Sequence, residues 1–406
     1  MLENGANPNE KDRLNRTSLH KASASHIDDG EIVGIAKLLM SHGANVSVRA
    51  NYIDDAPDDA PSKTPLMIAA SFGNNELVKL LLEKGANAND KNINERTALH
   101  MAANKGNIEI IKLLVENGAN ISLKAKFYTN NTIDKSTPFM FAVASNKYEA
   151  VEKGANPNEE TRPKGITALN MAVNRNETKI LELLIANGGD ISVRKHFDND
   201  PPNLEPSESL LTIATAHGYK QIAELLIKNG ENPDEKDRLN RTPLHMAANK
   251  NEEEIAKLLI GNGANVSTGA NYPDDEPGEM PSQTPLIMAT QMGNNKMVLL
   301  LLKNGADVVY KDQKNRTALH FAAKVGKVSI IDLLLKNGAD IHAMEEKHRT
   351  ALMVATSFGQ VDAVEFLLAH GANPFELNSL GESAMDIAKQ YDKKEIVQIF
   401  SEWKHK

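Results

Sequence analysis

A short phrase, Thr-x-Leu-His, recurs along the chain and is answered about 21 residues later by Gly-Ala-Asn or Gly-Ala-Asp. Thr97-Ala-Leu-His100 leads to Gly118-Ala-Asn120, Thr242-Pro-Leu-His245 to Gly263-Ala-Asn265, and Thr317-Ala-Leu-His320 to Gly338-Ala-Asp340. With the Thr or its Ser substitute as marker, units begin at 17, 64, 97, 137, 167, 209, 242, 284, 317, 350 and 383. The spacings are 47, 33, 40, 30, 42, 33, 42, 33, 33 and 33. A period in the thirties describes a stack of small units, each covered by its neighbours, and not a globe around one core.

The unit at Thr64 shows the plan. Thr64 suits an N-cap, Pro65 the first helical position, and Leu66, Ile68, Ala69 and Ala70 an apolar face. Gly73-Asn-Asn75 breaks that short helix. A second one starts near Glu76 with Leu77, Val78, Leu80, Leu81 and Leu82 at helical spacing, and Gly85 closes it. The polar run from Asn87 to Asn94 is turn chemistry leading to the next Thr.

Helix, turn, helix, glycine and extended turn, with Thr-Pro-Leu-x-x-Ala-Ala, resembles the ankyrin repeat. The resemblance covers essentially residues 2 to 400, as about eleven repeats plus an N-terminal partial one. It implies an all-α solenoid with short β-hairpin fingers, its helix-turn-helix units stacked in two layers beside a concave groove. It also implies a protein-recognition scaffold without chemistry of its own. His20, His100, His245 and His320 share one register, and no second histidine sits a helical turn away to chelate with any of them. The resemblance suggests a structural hydrogen bond to the Thr of the same tetrapeptide. His42 and His370, just before capping glycines, suit a helix C-terminus.

Composition narrows the function. A net charge of −8 argues against a general nucleic-acid binder, which needs a basic stripe. With no cysteine, a disulfide framework and thiolate metal sites are excluded, and a cytoplasmic location fits, with the nucleus or secretion as an effector left open. No stretch approaches the roughly 18 apolar residues of a membrane span. There is no phosphate-binding glycine loop, no His-Glu-x-x-His and no Gly-x-Ser-x-Gly elbow. Carboxylates are expected on fingers and exposed helix faces, where water keeps their acidity ordinary. The expectation is a monomeric non-enzyme with no cofactor or metal, whose partner is another protein.

Long and normal units alternate. Those at 17, 97, 167 and 242 are long, most of the extra length follows the Gly-Ala-Asn, and pairs sum to 80, 70, 75 and 75 residues. Lys11-Asp-Arg-Leu-Asn-Arg-Thr17 returns as Lys236-Asp-Arg-Leu-Asn-Arg-Thr242, as in a duplicated two-repeat module. Counted from the capping glycines at 43, 118, 188 and 263, the ninth residue of each long finger is aromatic: Tyr52, Phe127, Phe197 and Tyr272. Tyr128 stands beside one of them, and Asp54, Asp55, Asp274 and Asp275 follow two others. The aromatics either fold back onto their own fingers or face outward as anchors for a partner; an aromatic buries roughly 150–250 Å² when covered. The acid pairs fit solvated tips better than a calcium loop, since Pro57, Pro61, Pro273 and Pro277 stiffen them. A second candidate surface is the residue before the mid-unit glycine, a position that lines the groove by resemblance. It holds Phe72, Met292, Val325 and Phe358, but Lys105, Ser145, Arg175, His217 and Lys250 elsewhere.

Irregular units mark expected boundaries. Residues 1–16 read as the tail of a truncated repeat, 17–382 as the array, and 383–406 as a C-terminal capping repeat. The unit at Thr137 lacks about one turn of its second helix, a weak joint worth roughly 3–6 kcal/mol if two leucines are lost. The first unit has five extra residues around Ser25-His-Ile-Asp-Asp29, expected in the loop between its helices. The start in mid-unit suggests a fragment. A rival to the stand-alone binder is therefore the ankyrin segment of a larger protein: a channel arm, a ubiquitin-ligase adaptor, or a pathogen or symbiont effector.

Overall fold

The computed structural model describes residues 5–25, 29–51, 62–129, 132–147, 157–158, 166–195, 208–237, 239–271 and 282–403. The chain divides into two compact units, Met1–Pro206 and Ser207–Lys406. Among the described residues there are 21 helices and three short two-stranded sheets.

Each repeat begins as its sequence requires. Thr64 Oγ1 accepts from the backbone N–H of Met67 at 3.3 Å, Pro65 opens the helix Pro65–Phe72, and Gly73 closes it at φ +86°. That closing position needs a left-handed residue. Where glycine is missing, Asn146, Asn176, Asn251 and Asp392 take it at φ 52°, 59°, 60° and 50°. The helix Pro65–Phe72 is buried from Pro65 to Ala70, because it is covered by neighbours on both sides and by its own partner helix. The partner helix Asn75–Glu83 is amphipathic and buries Leu77, Val78, Leu80, Leu81 and Leu82.

In the first unit the first helices Ser18–Ser23, Pro65–Phe72, Ala98–Lys105, Pro138–Ala144 and Ala168–Asn174 pack in series. The second helices Asp29–Ser41, Asn75–Glu83 and Ile108–Glu116 form a parallel row behind them. In the second unit the front row is Leu210–Ala216, Pro243–Lys250, Pro285–Gln291, Ala318–Val325, Ala351–Phe358 and Ala384–Gln390. Its back row is Lys220–Lys228, Glu253–Gly261, Asn295–Lys303, Val328–Lys336, Val361–Ala369 and Lys394–Trp403. The core is thus a continuous seam between two rows; in the first unit it runs through Leu19, Ile32, Leu66, Leu81, Leu99 and Leu114.

One irregularity resolves differently from its sequence reading. The extra residues of the first unit are not all loop: the helix Asp29–Ser41 has 13 residues, against nine in Asn75–Glu83, so the insertion adds about a turn at its N-terminus. Ile32 on that added turn is buried, which gives the turn a reason to be helical. The expected loss in the second helix of the unit at Thr137 falls at 148–156, outside the described residues.

Candidate functional site

The fingers leave the helix rows through a hydrogen-bonded root. Ala125–Thr129 pairs antiparallel with Thr132–Ser136, Ala270–Asn271 with Ser282–Gln283, and Ala50 bridges Lys63. Ala50, Ala125 and Ala270 occupy the same place in three long fingers and are fully buried, whereas the fourth carries Lys195 there.

The recurring histidine holds this root in place. His245 Nδ1 takes the backbone N–H of Thr242 at 3.1 Å and lies 2.9 Å from the Thr242 hydroxyl, while Nε2 lies 3.0 Å from Gln283 O. The Thr242 N–H is a fixed donor, which makes Nδ1 the acceptor and leaves Nε2–H to donate to the returning strand. His20 reaches Val48 O at 3.0 Å, His100 Ser136 O at 3.3 Å, and His320 Arg349 O at 3.1 Å. Burial depresses the pKa of His20, His100 and His245 to about 4, against the favourable pull of their carbonyl partners, and lowers that of His320 for the same reason. These side chains are neutral structural ties. In the unit at Thr167 an asparagine substitutes: Asn170 Oδ1 takes the Thr167 N–H at 3.0 Å, and its buried Nδ2 has no hydrogen-bond partner among the described residues.

Carboxylates at the finger turns depart from the expectation of ordinary, solvated acids. Asp237 and Asp312 are 5% and 4% exposed and bind Arg241 and Arg316 at 2.6 and 2.7 Å. Glu345 repeats the arrangement with Arg349 at 2.7 Å. At Asp12 burial raises the pKa, but N–H groups of Arg16 and Leu14 and the side chains of Arg16 and Lys21 outweigh it and bring it to about 2. The spacing Asp-x-x-x-Arg before the markers at 17, 242 and 317, as in Asp12–Arg16 and Asp237–Arg241, carries this signal in the sequence.

Neighbouring caps are also tied. Asn89 Nδ2 donates to Gly118 O at 2.8 Å and Asn89 Oδ1 accepts from Asn120 N–H at 2.7 Å. Asn9 makes the same pair of bonds to Gly43 and Asn45, and Asn158 to Gly188 and Asp190. In the alternate units the position is serine, and Ser267 gives one bond, accepting from Asp307 N–H at 2.9 Å. His42 and His370 cap their helices by hydrogen bonds to Leu38 O and Phe366 O at 2.9 and 2.8 Å.

A model of ankyrin repeats matches residues 51–125, 139–237, 193–270, 269–345 and 319–405. The chain belongs to the ankyrin repeat family. This ankyrin array is similar to the ankyrin repeat and KH domain-containing protein mask-1 of Caenorhabditis elegans, with 26% identity over 235 residues. The match covers 57% of this chain but spans only 8% of the worm protein's length. Ankyrin repeats form a protein–protein interaction domain. No helix among the described residues is long and apolar enough to cross a membrane, and no group of three or more metal-ligating side chains occurs among them.

The sequence-selected residues divide sharply. Tyr52, Asp54, Asp55, Phe197, Tyr272, Asp274 and Asp275 lie outside the described residues. Phe127 and Tyr128 are placed by backbone alone, opposite Asp134 and Ile133 in the second long finger. Phe72, Met292 and Phe358 are 39%, 50% and 51% exposed at the ends of first helices, and Val325 is half-buried. The register has a fifth apolar member beyond the sequence-selected four. Tyr391, eight residues after Ser383, is 56% exposed, and the marker spacing alone would have found it.

Proposed function

We propose that this ankyrin array is a non-catalytic scaffold that binds a partner protein through its groove and its extended fingers. The observation that supports this reading is the row of exposed apolar side chains at one repeat register: Met292, Phe358 and Tyr391, with Phe72 in the first unit. Large apolar groups half in water cost free energy in the unbound array, and covering them with a partner recovers it. Interfaces take most of their energy from a few such anchors. On this reading the four finger aromatics Tyr52, Phe127, Phe197 and Tyr272 provide a second set of anchors, and the acid pairs Asp54–Asp55 and Asp274–Asp275 polar steering.

The test is capture from cells of the native host with wild type, a Met292→Ser/Phe358→Ser/Tyr391→Ser triple variant, and a variant with the four finger aromatics changed to Ala. Loss of the same protein from either variant, with unchanged helical circular dichroism, is the expected result. Identical captured proteins from all three would overturn the reading. The small share of the worm relative that is matched favours a second reading, in which the array targets a larger protein. An in-frame coding region with further domains beyond residues 1–406 would support it, and flanking stop codons would end it.

A further inference from the structure

The exposed register is densest in the second unit, where four consecutive repeats contribute Met292, Val325, Phe358 and Tyr391, each eight residues after its marker. The two repeats before them carry His217 and Lys250 instead, so the apolar stretch has a defined start. The turns at Val325 and Tyr391 are basic although the chain's net charge is −8, holding Lys324, Lys327, Lys389, Lys393 and Lys394 against Asp392, which lies 3.9 Å from Lys394; the turns at Met292 and Phe358 carry no charge of their own. Lys324 Nζ lies 5.3 Å from the centre of the Phe358 ring, and the side chains of Lys327 and Lys393 lie against Gly293 and Gly359. The next carboxylates, Asp362 and Glu395, are in the first turns of the second helices.

Resting on the recognition reading above, we infer that this stripe takes an acidic amphipathic helix, laid across the four repeats with one apolar residue per heptad. Packed helices stand about 8–10 Å apart, so the stripe offers an apolar group about every 10 Å. A helix advances roughly 10.5 Å in seven residues and returns to nearly the same face. A β-strand repeats a face only every ~6.8 Å and falls out of step. A polyproline-type peptide repeats a face at about 9 Å, close to the spacing, but leaves its backbone groups without internal partners. The stripe has few backbone donors to offer it. The backbone N–H groups of Gly293, Asn294, Gly326, Gly359, Gln360, Tyr391 and Lys393 are all bonded within their own helix ends, to Thr290, Ala289, Ala322, Thr356, Ala355, Ile387 and Ala388. A helix satisfies its own backbone and asks only for side-chain contact. The turns are also tied together before any partner arrives, since the Gln360 side-chain amide donates to Lys324 O at 2.9 Å. Glutamates flanking the heptad residues would meet the lysines along the rim.

The test uses the full chain and a labelled synthetic helix of about 22 residues with leucines seven apart and flanking glutamates. Three control peptides have the leucines six apart, lysines for the glutamates, or a proline-rich backbone with an apolar residue every third position. By fluorescence anisotropy the acidic heptad peptide should bind at least about tenfold more tightly than each control and weaken as salt rises. Phe358→Ser and Tyr391→Ser should each weaken it several-fold, and Lys324→Glu/Lys393→Glu should remove most of the salt dependence. Equal binding of the six-spaced or lysine peptide, or tighter binding of the proline-rich one, would overturn the inference. Host capture separates the two readings. Partner loss in the stripe variant without acidic-helix binding leaves the recognition site standing and removes only the helix; capture unchanged in the stripe variant overturns the helix inference, and capture unchanged in both variants overturns the recognition reading as well.

Discussion

Two kinds of repeat share one backbone plan and differ at the fourth residue of the marker phrase. In the units at Thr17, Thr97, Thr242 and Thr317 that residue is histidine; in those at Thr64, Thr137, Thr284 and Thr350 it is Met67, Met140, Ile287 and Met353. All eight side chains are buried, but they do different things there. The apolar ones add to the seam between the helix rows, and in three of the four units the marker hydroxyl caps the helix, as Thr284 Oγ1 does for Ile287 N–H at 3.3 Å. The histidines join the N-terminus of the first helix to the root of the finger. Three of the four stand before long fingers, where an insertion most needs a fixed base. A single polar position thus adds, in the histidine repeats, a tie between the first helix and the finger root.

Acid should separate the two kinds most strongly. Unfolded histidine binds a proton near pH 6.5, whereas His20, His100 and His245 in the fold do so only near 4. Below pH 6.5 the unfolded chain therefore holds more protons, and stability falls with pH until about 4, then levels off. At pH 5 each of these histidines should have lost roughly 2 kcal/mol. Urea titrations at pH 7 and 5 should show this in the wild type and not after replacement of the four histidines by methionine. An equal loss in both would assign the acid sensitivity elsewhere.

At pH 7 the single change His245→Met should cost about 1–3 kcal/mol, because the Thr242 N–H and Gln283 carbonyl lose a buried partner. Its sibling change Ile287→Val should cost about 0.5–1.5 kcal/mol, the usual toll of one buried methylene. Thermal melts that reverse this order would mean the histidine only fills space. The ties between caps should differ more gently: Asn89→Ala about 1 kcal/mol for two solvent-exposed bonds, and Ser267→Ala about half that for one. Amide exchange at Asn120 and Asp307 measures each locally, and equal acceleration would remove the distinction. The smallest stability change, within about 0.5 kcal/mol, should follow Phe358→Ser on the exposed register.

Most of the scaffold was open to reading in the residues. Thr64, Pro65, Gly73 and Gly85 state a cap, a start and two stops, because those backbone conformations are chemical properties of those residue types. Tyr391 is equally legible, being fixed by the same eight-residue offset as Phe358. The buried acids were harder. Asp237 and Asp312 are marked in the sequence only by an arginine four residues on, and it is the contact with Arg241 and Arg316 that takes them out of water. The helical turn at Asp29–Ile32 had no distinctive local signal either, since its stability comes from Ile32 reaching the seam.

The sequence by itself determined the unit, its period, its caps and its apolar faces, since each of these is a short-range preference repeated in register. Tertiary structure alone decided which carbonyl each histidine holds, and which caps are tied by two bonds and which by one. Those partners lie some 28 to 40 residues away along the chain, and in a stack only the packing of one unit on the next brings them within hydrogen-bond reach.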